Sequence, residues 1–202
     1  MKRIIRLLAL SSLMLLTVPV SAEEIVGENS GNVEINGTLG MDNKDPDAPI
    51  VEGEDSWINV SLPTETIFYS TNTKANAPIT SPKYTITNNS GRPVEVRFSK
   101  LTKKADSDAG IADYDVALAG FDVANPSIIS AGNVADSSAS PVLIQTLANG
   151  DGRLLVSDIE DAHPNTITYG YTGIVKDELS QTIKHNFDMT LEFKSVDWTT
   201  AP

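Results

Sequence analysis

Cysteine is absent from all 202 residues. An exported chain without it forgoes the disulfides on which small secreted domains often rely, so its fold rests on its core alone, and an N-terminus lipidated on cysteine is excluded. Histidine is scarce: His163 and His185 are the two, neither has a second ligand at a metal-binding spacing, and both read as surface residues. A G-x-S-x-G elbow, a Gly-rich phosphate loop and carboxylates paired at a recognisable spacing are missing too. The expectation is a protein that is not an enzyme and takes no cofactor, although a glycosidase built from two carboxylates distant in sequence would escape such a search. Positive charge is in short supply, with 15 Lys and Arg against 27 Asp and Glu. Phosphate backbones would repel this balance, so no nucleic acid is expected as a partner.

Only one long apolar run occurs. Leu7 to Val18 follows a basic start (Lys2, Arg3, Arg6) and precedes Val20-Ser21-Ala22, the pattern of a secretory signal with a small-residue cleavage site over residues 1–22. The run is too short to span a bilayer well, so no membrane span is expected; a retained N-terminal anchor is the competing reading. Removing residues 1–22 leaves 12 basic residues against 27 acidic, a net of −15. The remainder reads as secreted, extracellular or wall-surface chain, long enough for one domain with a real core. Its C-terminal stretch SVDWTTAP shows no apolar tail or sorting motif, so covalent wall anchoring is not expected.

Residues 23–55 are acidic and rich in Gly, Asn, Asp and Pro, with one strand-like island from Asn32 to Leu39 where Val33, Ile35 and Leu39 alternate with polar residues. Met41 to Gly53 reads as a linker. An edge strand on its own domain is one reading of the island; a donor strand added to a neighbouring molecule's sheet is the other, and brings possible self-association. Residues 56–202 read as the folded body. Its centre is Ser81 to Leu101, where Tyr84 and Ile86, then Val94, Val96 and Phe98, alternate with polar residues around Asn88-Asn89-Ser90-Gly91, a pattern that predicts a β-hairpin. A second hairpin is predicted for Val142–Leu147 and Gly152–Ser157 around Asn149-Gly150. Ile58 to Leu62, Ile67 to Tyr69, Tyr114 to Phe121, Ser127 to Ser130, Ile167 to Tyr171 and Phe187 to Phe193 supply further strands, and Lys176 to Thr182 a single helical turn. About nine or ten strands with no long amphipathic helix predict an all-β antiparallel sandwich, immunoglobulin-like or jelly-roll.

Three groups of residues are candidates for binding. Trp57 and Trp198, the only tryptophans, stand at the two ends of the body and could be neighbours in space; exposed, they would stack on sugar rings, and buried, they would plug the core. Asp106 and Asp108, with Gly110 following, offer hard oxygen ligands for calcium without the closing Glu of a full calcium loop. Val33, Ile35 and Leu39 are the donor-strand residues.

Gly31 to Gly40 before an Asp-Pro linker, Trp57-Ile58-Asn59-Val60-Ser61-Leu62-Pro63-Thr64, and Ser81-Pro82-Lys83-Tyr84-Thr85-Ile86-Thr87 with Pro93-Val94-Glu95-Val96 resemble exported Gram-positive proteins, among them relatives of the WxL-type cell-surface proteins. The family's Trp-x-Leu hallmark is replaced here by Asp197-Trp198-Thr199-Thr200, which leaves Trp198 as the candidate contact. The resemblance implies a β-rich domain associated non-covalently with peptidoglycan or other surface proteins, acting in adhesion or biofilm. The alternatives are a pilus-like subunit and a carbohydrate-binding module.

Overall fold

A computed structural model describes residues 42–108 and 113–198. Val33, Ile35 and Leu39, and with them the donor-strand expectation, lie outside the described residues. The regular elements are a short 3-10 helix (Asp55–Trp57) and eleven strands: β1 (Val60–Ser61), β2 (Tyr69–Ser70), β3 (Ala77–Thr80), β4 (Tyr84–Asn88), β5 (Val94–Lys103), β6 (Tyr114–Ala119), β7 (Ser127–Ser130), β8 (Asn133–Val134), β9 (Val142–Leu147), β10 (Thr166–Val175) and β11 (Phe187–Ser195). Eight of them form a strongly curled sheet in the order β1-β4-β10-β6-β7-β8, with β3 also pairing β10 and β2 pairing β3. The second sheet is β11-β5-β9. All pairings are antiparallel, and the two sheets pack as an all-β sandwich.

Alternation explains which side of each strand faces the core. Val94, Val96 and Phe98 of β5 point inward; opposite β11 the register then slips between Thr190 and Leu191, so that Lys100 pairs Thr190 while Phe98 pairs Leu191. That slip leaves Ser99 unpaired and moves the inward position from even to odd residues, which is why Leu101 is buried and Lys100 is not. Ile86, Val116, Leu118, Ile128, Ile144 and Tyr169 complete the core from the other strands. Strand β10 is the spine of the curled sheet: its first half pairs β4, its second half pairs β3, and β6 runs along its other edge. Where β3 gives way to β4, the Ser81 hydroxyl accepts the Tyr171 N–H at 2.8 Å and fills the gap in the ladder. Gly173 is obligatory in that spine, because a Cβ there would lie 2.0 Å from the Asp115 carbonyl oxygen.

Several sequence expectations are corrected. The predicted hairpin from Ser81 to Leu101 is an arch: β4 belongs to the curled sheet and β5 to the second, and the strands do not pair. Both have one apolar face, and the sandwich buries both faces best by placing them on opposite walls of one core. The predicted hairpin at Asn149-Gly150 is also absent, because Gly152–Ser157 forms turns rather than a strand. Asn149 is fully buried and its carboxamide oxygen takes the N–H groups of Asp151 and Arg153, which ties the segment into a loop. Ser127–Ser130 is a strand, as expected, and it turns back into β8 through Ala131 and Gly132, both at positive φ. Lys176 to Thr182 is not helical. The linker read at Met41 to Gly53 is docked on the sandwich from Asp42 onward, with Asn43 accepting the Gly91 N–H at 2.7 Å and Asn59 bonding the Asn43 side chain at 2.9 Å. Among the described residues no helix is long and apolar enough to cross a membrane.

Candidate functional site

Trp57 and Trp198 do meet, through a third residue. Arg92, in the arch between β4 and β5, places its guanidinium 4.1 Å from the Trp57 ring centre and 4.4 Å from that of Trp198. The planar cation fills the slot between the two rings and keeps its edge free for hydrogen bonds. That edge is well used: Nε donates to both oxygens of Glu52, Nη2 to Glu52 Oε1, and Nη1 to the carbonyls of Pro46 (2.9 Å) and Gly91 (3.0 Å). The arch beneath is held by its own polar residues. Asn88 Nδ2 donates to the carbonyls of Arg92 and Ala148, each at 2.8 Å, and the Ser90 hydroxyl donates to Arg92 O at 2.6 Å.

This geometry decides the two tryptophans differently. Trp57 is 0% exposed and its Nε1–H donates to Val51 O at 3.1 Å, so no face is left for a sugar, and of its two readings the core plug holds. Trp198 is half-buried against Arg92, with the Arg153 guanidinium 5.8 Å from its ring. Its Nε1 and the Arg153 Nε are buried without a hydrogen-bond partner. Asp106 and Asp108 lie in the loop after β5. The Asp108 carboxylate accepts the Lys184 N–H at 2.6 Å, and among the described residues no three metal-ligating side chains come together, so the calcium expectation finds no third ligand there.

A concavity lies at the other end of the sandwich. It is a groove of 490 Å³ between the β2–β3 loop and the β10–β11 connection. Its floor is Ile79, Val175 and Tyr114, all buried strand residues, and Phe68 closes one side against Tyr171 and Phe187. The rims are laced together by Leu179 N–H to Thr73 O at 2.7 Å, while the 103–108 loop holds the far rim through Asp108 N–H to Lys184 O at 2.8 Å and Asn186 N–H to Ser107 Oγ at 2.9 Å. Tyr69, 47% exposed, pairs Thr80, so its side chain lies on the sheet face opposite that of Ile79. Tyr114 and His185 share a hydrogen bond of 2.8 Å between the phenol oxygen and Nδ1, and burial pushes the Tyr114 phenol up to about 12. His185 also sits edge-on to Phe187. The surface reading of His185 is therefore corrected: it is a half-buried member of the groove wall, whereas His163 stays peripheral with a contact to Asp158 at 3.4 Å.

No protein-family profile, curated protein or solved structure matches this chain. What the site can do rests on its own residues.

Sequence reasoning missed Arg92 and the groove. Arg92 precedes a proline and interrupts a turn-like run, a placement that suits a solvated turn as well as a buried hub. Its signal was chemical: one arginine flanked by the sequence Asn-Asn-Ser-Gly, whose side chains satisfy backbone groups wherever a turn is buried. The groove is built from Thr71 to Thr73 and Thr182 to His185, two polar loops separated by about a hundred residues, and only the pairing of β3 with β10 brings them together.

Proposed function

We propose that the chain is an exported, non-enzymatic binding protein of a Gram-positive cell surface, held at the wall by non-covalent contacts and acting in adhesion or surface assembly. The observation that carries the reading is an export-signal pattern, residues 1–22, in front of a sandwich whose open groove combines an apolar and aromatic floor with hydroxyl side chains, Lys184 and His185, the mixed lining of a ligand site. The resemblance of its strand segments to WxL-type surface proteins points the same way. The test is sedimentation of the purified protein, residues 23–202, with isolated Gram-positive cell walls. Pelleting that salt washes and unrelated acidic proteins do not reproduce is expected; protein that stays in the supernatant overturns the reading.

A second reading, a fibre subunit donating Asn32–Leu39 to a neighbour, is favoured by β11. Among the described residues this nine-residue strand pairs on one side only, and its Phe187, Met189, Leu191 and Phe193 are half-buried. Deleting residues 23–40 keeps the docked segment from Asp42 onward intact. Concentration-dependent oligomers that vanish in this deletion would support donation, and a monomer with and without the arm would exclude it.

A further inference from the structure

Donation of residues 32–39 needs an acceptor edge, and among the described residues one long edge is open. On the β9 side, Ile144 O takes the Val123 N–H at 3.3 Å and the Ala124 N–H at 3.4 Å. Beyond the end of β9, Ala135 O takes the Leu101 N–H at 2.9 Å and the Ser137 N–H donates to Ser99 O at 2.7 Å, so the chain leaving β8 covers that flank of β5. The strands β1, β2 and β8 are two residues each. β11 has nine and is paired by β5 alone.

The backbone phase of that edge is fixed at both ends. Val196 N–H donates to Pro93 O at 2.9 Å and Lys104 N–H to Asn186 O at 2.8 Å, so the even-numbered residues of β11 turn their peptide groups to β5. Alternation along an antiparallel ladder then points the N–H and C=O of Met189, Leu191 and Phe193 away from β5. Their side chains lie on the core side, opposite the buried Leu101, Phe98 and Val96, yet each is only half-buried. One row of residues thus lacks both a ladder partner and full cover, and an added strand supplies both.

The sequence of residues 32–39 fits that row. Val33, Ile35 and Leu39 fall on one face with Gly37 between them, and Glu34, Asn36 and Thr38 on the other. Laid antiparallel with Ile35 opposite Phe193, the strand sets Gly37 opposite Leu191 and Leu39 opposite Met189. On the solvent face Glu34 then meets Lys194, a pair of opposite charges. Slipping by two residues along β11 would set Glu34 against Glu192, like charges directly opposed. The chain cannot pair with itself in this way. Asn43 is held on the Gly91 N–H, at the end of the sandwich where Val196 meets Pro93, and Met189 lies about 23 Å back along β11. Four peptide units from Leu39 to Asn43 reach at most about 14 Å. On the fibre-subunit reading, we propose that residues 32–39 of a second copy add to the free edge of β11 as an antiparallel strand, with Glu34 opposite Lys194.

The absence of cysteine makes disulfide trapping a clean test. Two versions of residues 23–202 are mixed and oxidised with glutathione disulfide. One carries Glu34→Cys; the other, enlarged by a terminal tag, carries Lys194→Cys or, as the register control, Glu192→Cys, both at exposed strand positions. In the proposed register residues 34 and 194 form a pair without mutual hydrogen bonds, with Cα atoms about 4.5 Å apart and within disulfide range. A tagged–untagged dimer on a non-reducing gel, formed at least about tenfold faster with Lys194→Cys than with Glu192→Cys, is expected. Trapping at neither position, or at residue 192 as fast as at 194, would overturn the acceptor edge or its register. With Glu34→Cys and Lys194→Cys in one chain, disulfide-linked multimers are expected, and a disulfide closed within a monomer would overturn the second copy as donor. Sedimentation of the parent and of the protein lacking residues 23–40 separates this from the fibre reading. Oligomers that need residues 23–40 but give no 34–194 disulfide sink the β11 acceptor and keep donation, whereas a monomer with and without the arm sinks both.

Discussion

Replacing Arg92 with alanine tests the stack at its centre. The side chain is 9% exposed and its carboxylate partner Glu52 is 25% exposed, so the pair is largely out of water. Removing one member of such a pair leaves the other charge uncompensated, at a cost of about 3–5 kcal/mol. Two faces of cation–π contact add on the order of 1 kcal/mol each, and the carbonyls of Pro46 and Gly91 lose their donor as well. These terms overlap, and about 4 kcal/mol is the expected total. For a domain of this size that is a fall of roughly 8–16 °C in Tm. Urea unfolding followed by tryptophan fluorescence reads the loss directly, since both indoles flank the deleted group. Arg92→Lys keeps the charge but neither the planar stack nor the fork on Glu52, so it is expected to lose about half as much or more. A cycle pairing Arg92→Ala with Glu52→Gln should show a coupling of about 1–3 kcal/mol. Stability of Arg92→Ala within about 1 kcal/mol of the parent would refute the stack as a structural hub.

Gly173→Ala drives a methyl into the Asp115 carbonyl, 2.0 Å from the ideal Cβ, and is expected to destabilise by at least about 2 kcal/mol in the same urea assay. Burial raises the phenols of Tyr114, Tyr169 and Tyr171 above their ordinary value, so the folded state holds their protons more tightly than the unfolded chain does. Their contribution is whole below about pH 10 and is lost as pH climbs toward the folded values, on the order of 2 kcal/mol for Tyr114 alone; a stability curve flat from pH 8 to 12 would contradict it. Asp115 moves the other way, held below the usual carboxylate range by the Ala131 N–H first and then by Lys176. Its contribution is present above the ordinary carboxylate pKa and lost as pH falls through the lower folded value, so Asp115→Asn should flatten the acid limb of the stability profile.

The strands were legible because period-2 alternation is written residue by residue: Val94, Val96 and Phe98 announce a half-buried strand whatever stands beside it. Partners were not legible. Local turn chemistry predicts that strands joined by Asn-Asn-Ser-Gly or Asn-Gly pair as hairpins, but the same residues serve equally to satisfy a buried arch, and the long-range choice belongs to the core. Asn88, Ser90 and Asn149 are all buried, which turn residues on a hairpin tip would not be. Trp57 shows a similar limit. Its type admits a platform or a plug, and only the docking of residues 42–59, which composition alone presents as an acidic linker, decides for the plug. Glu52 is one of 27 acidic residues, and nothing local distinguishes the one that neutralises a buried arginine.

Stack and groove occupy opposite ends of one strand. β11 begins at Phe187, against His185 and the groove wall, and ends at Ser195, three residues before Trp198 in the stack. Nine strand residues span about 27–30 Å, further than any hydrogen-bond chain described at either end. β10 repeats the division, with Thr166 beside the arch at one end and Val175 in the groove floor at the other. The end of the sandwich closed by Arg92 holds the flanking segments 42–59 and 196–198, and the end left open carries the groove with the exposed Thr71, Thr73 and Thr182. A division of that kind makes the two separable: Arg92→Lys lowers stability yet, at temperatures where it stays folded, should leave the amide chemical shifts of residues 69–73 and 182–185 at their parent values. If Arg92→Lys instead moved those groove amides in the folded state, the sheets would be transmitting strain along β10 and β11, and stack and groove would have to be treated as one coupled unit.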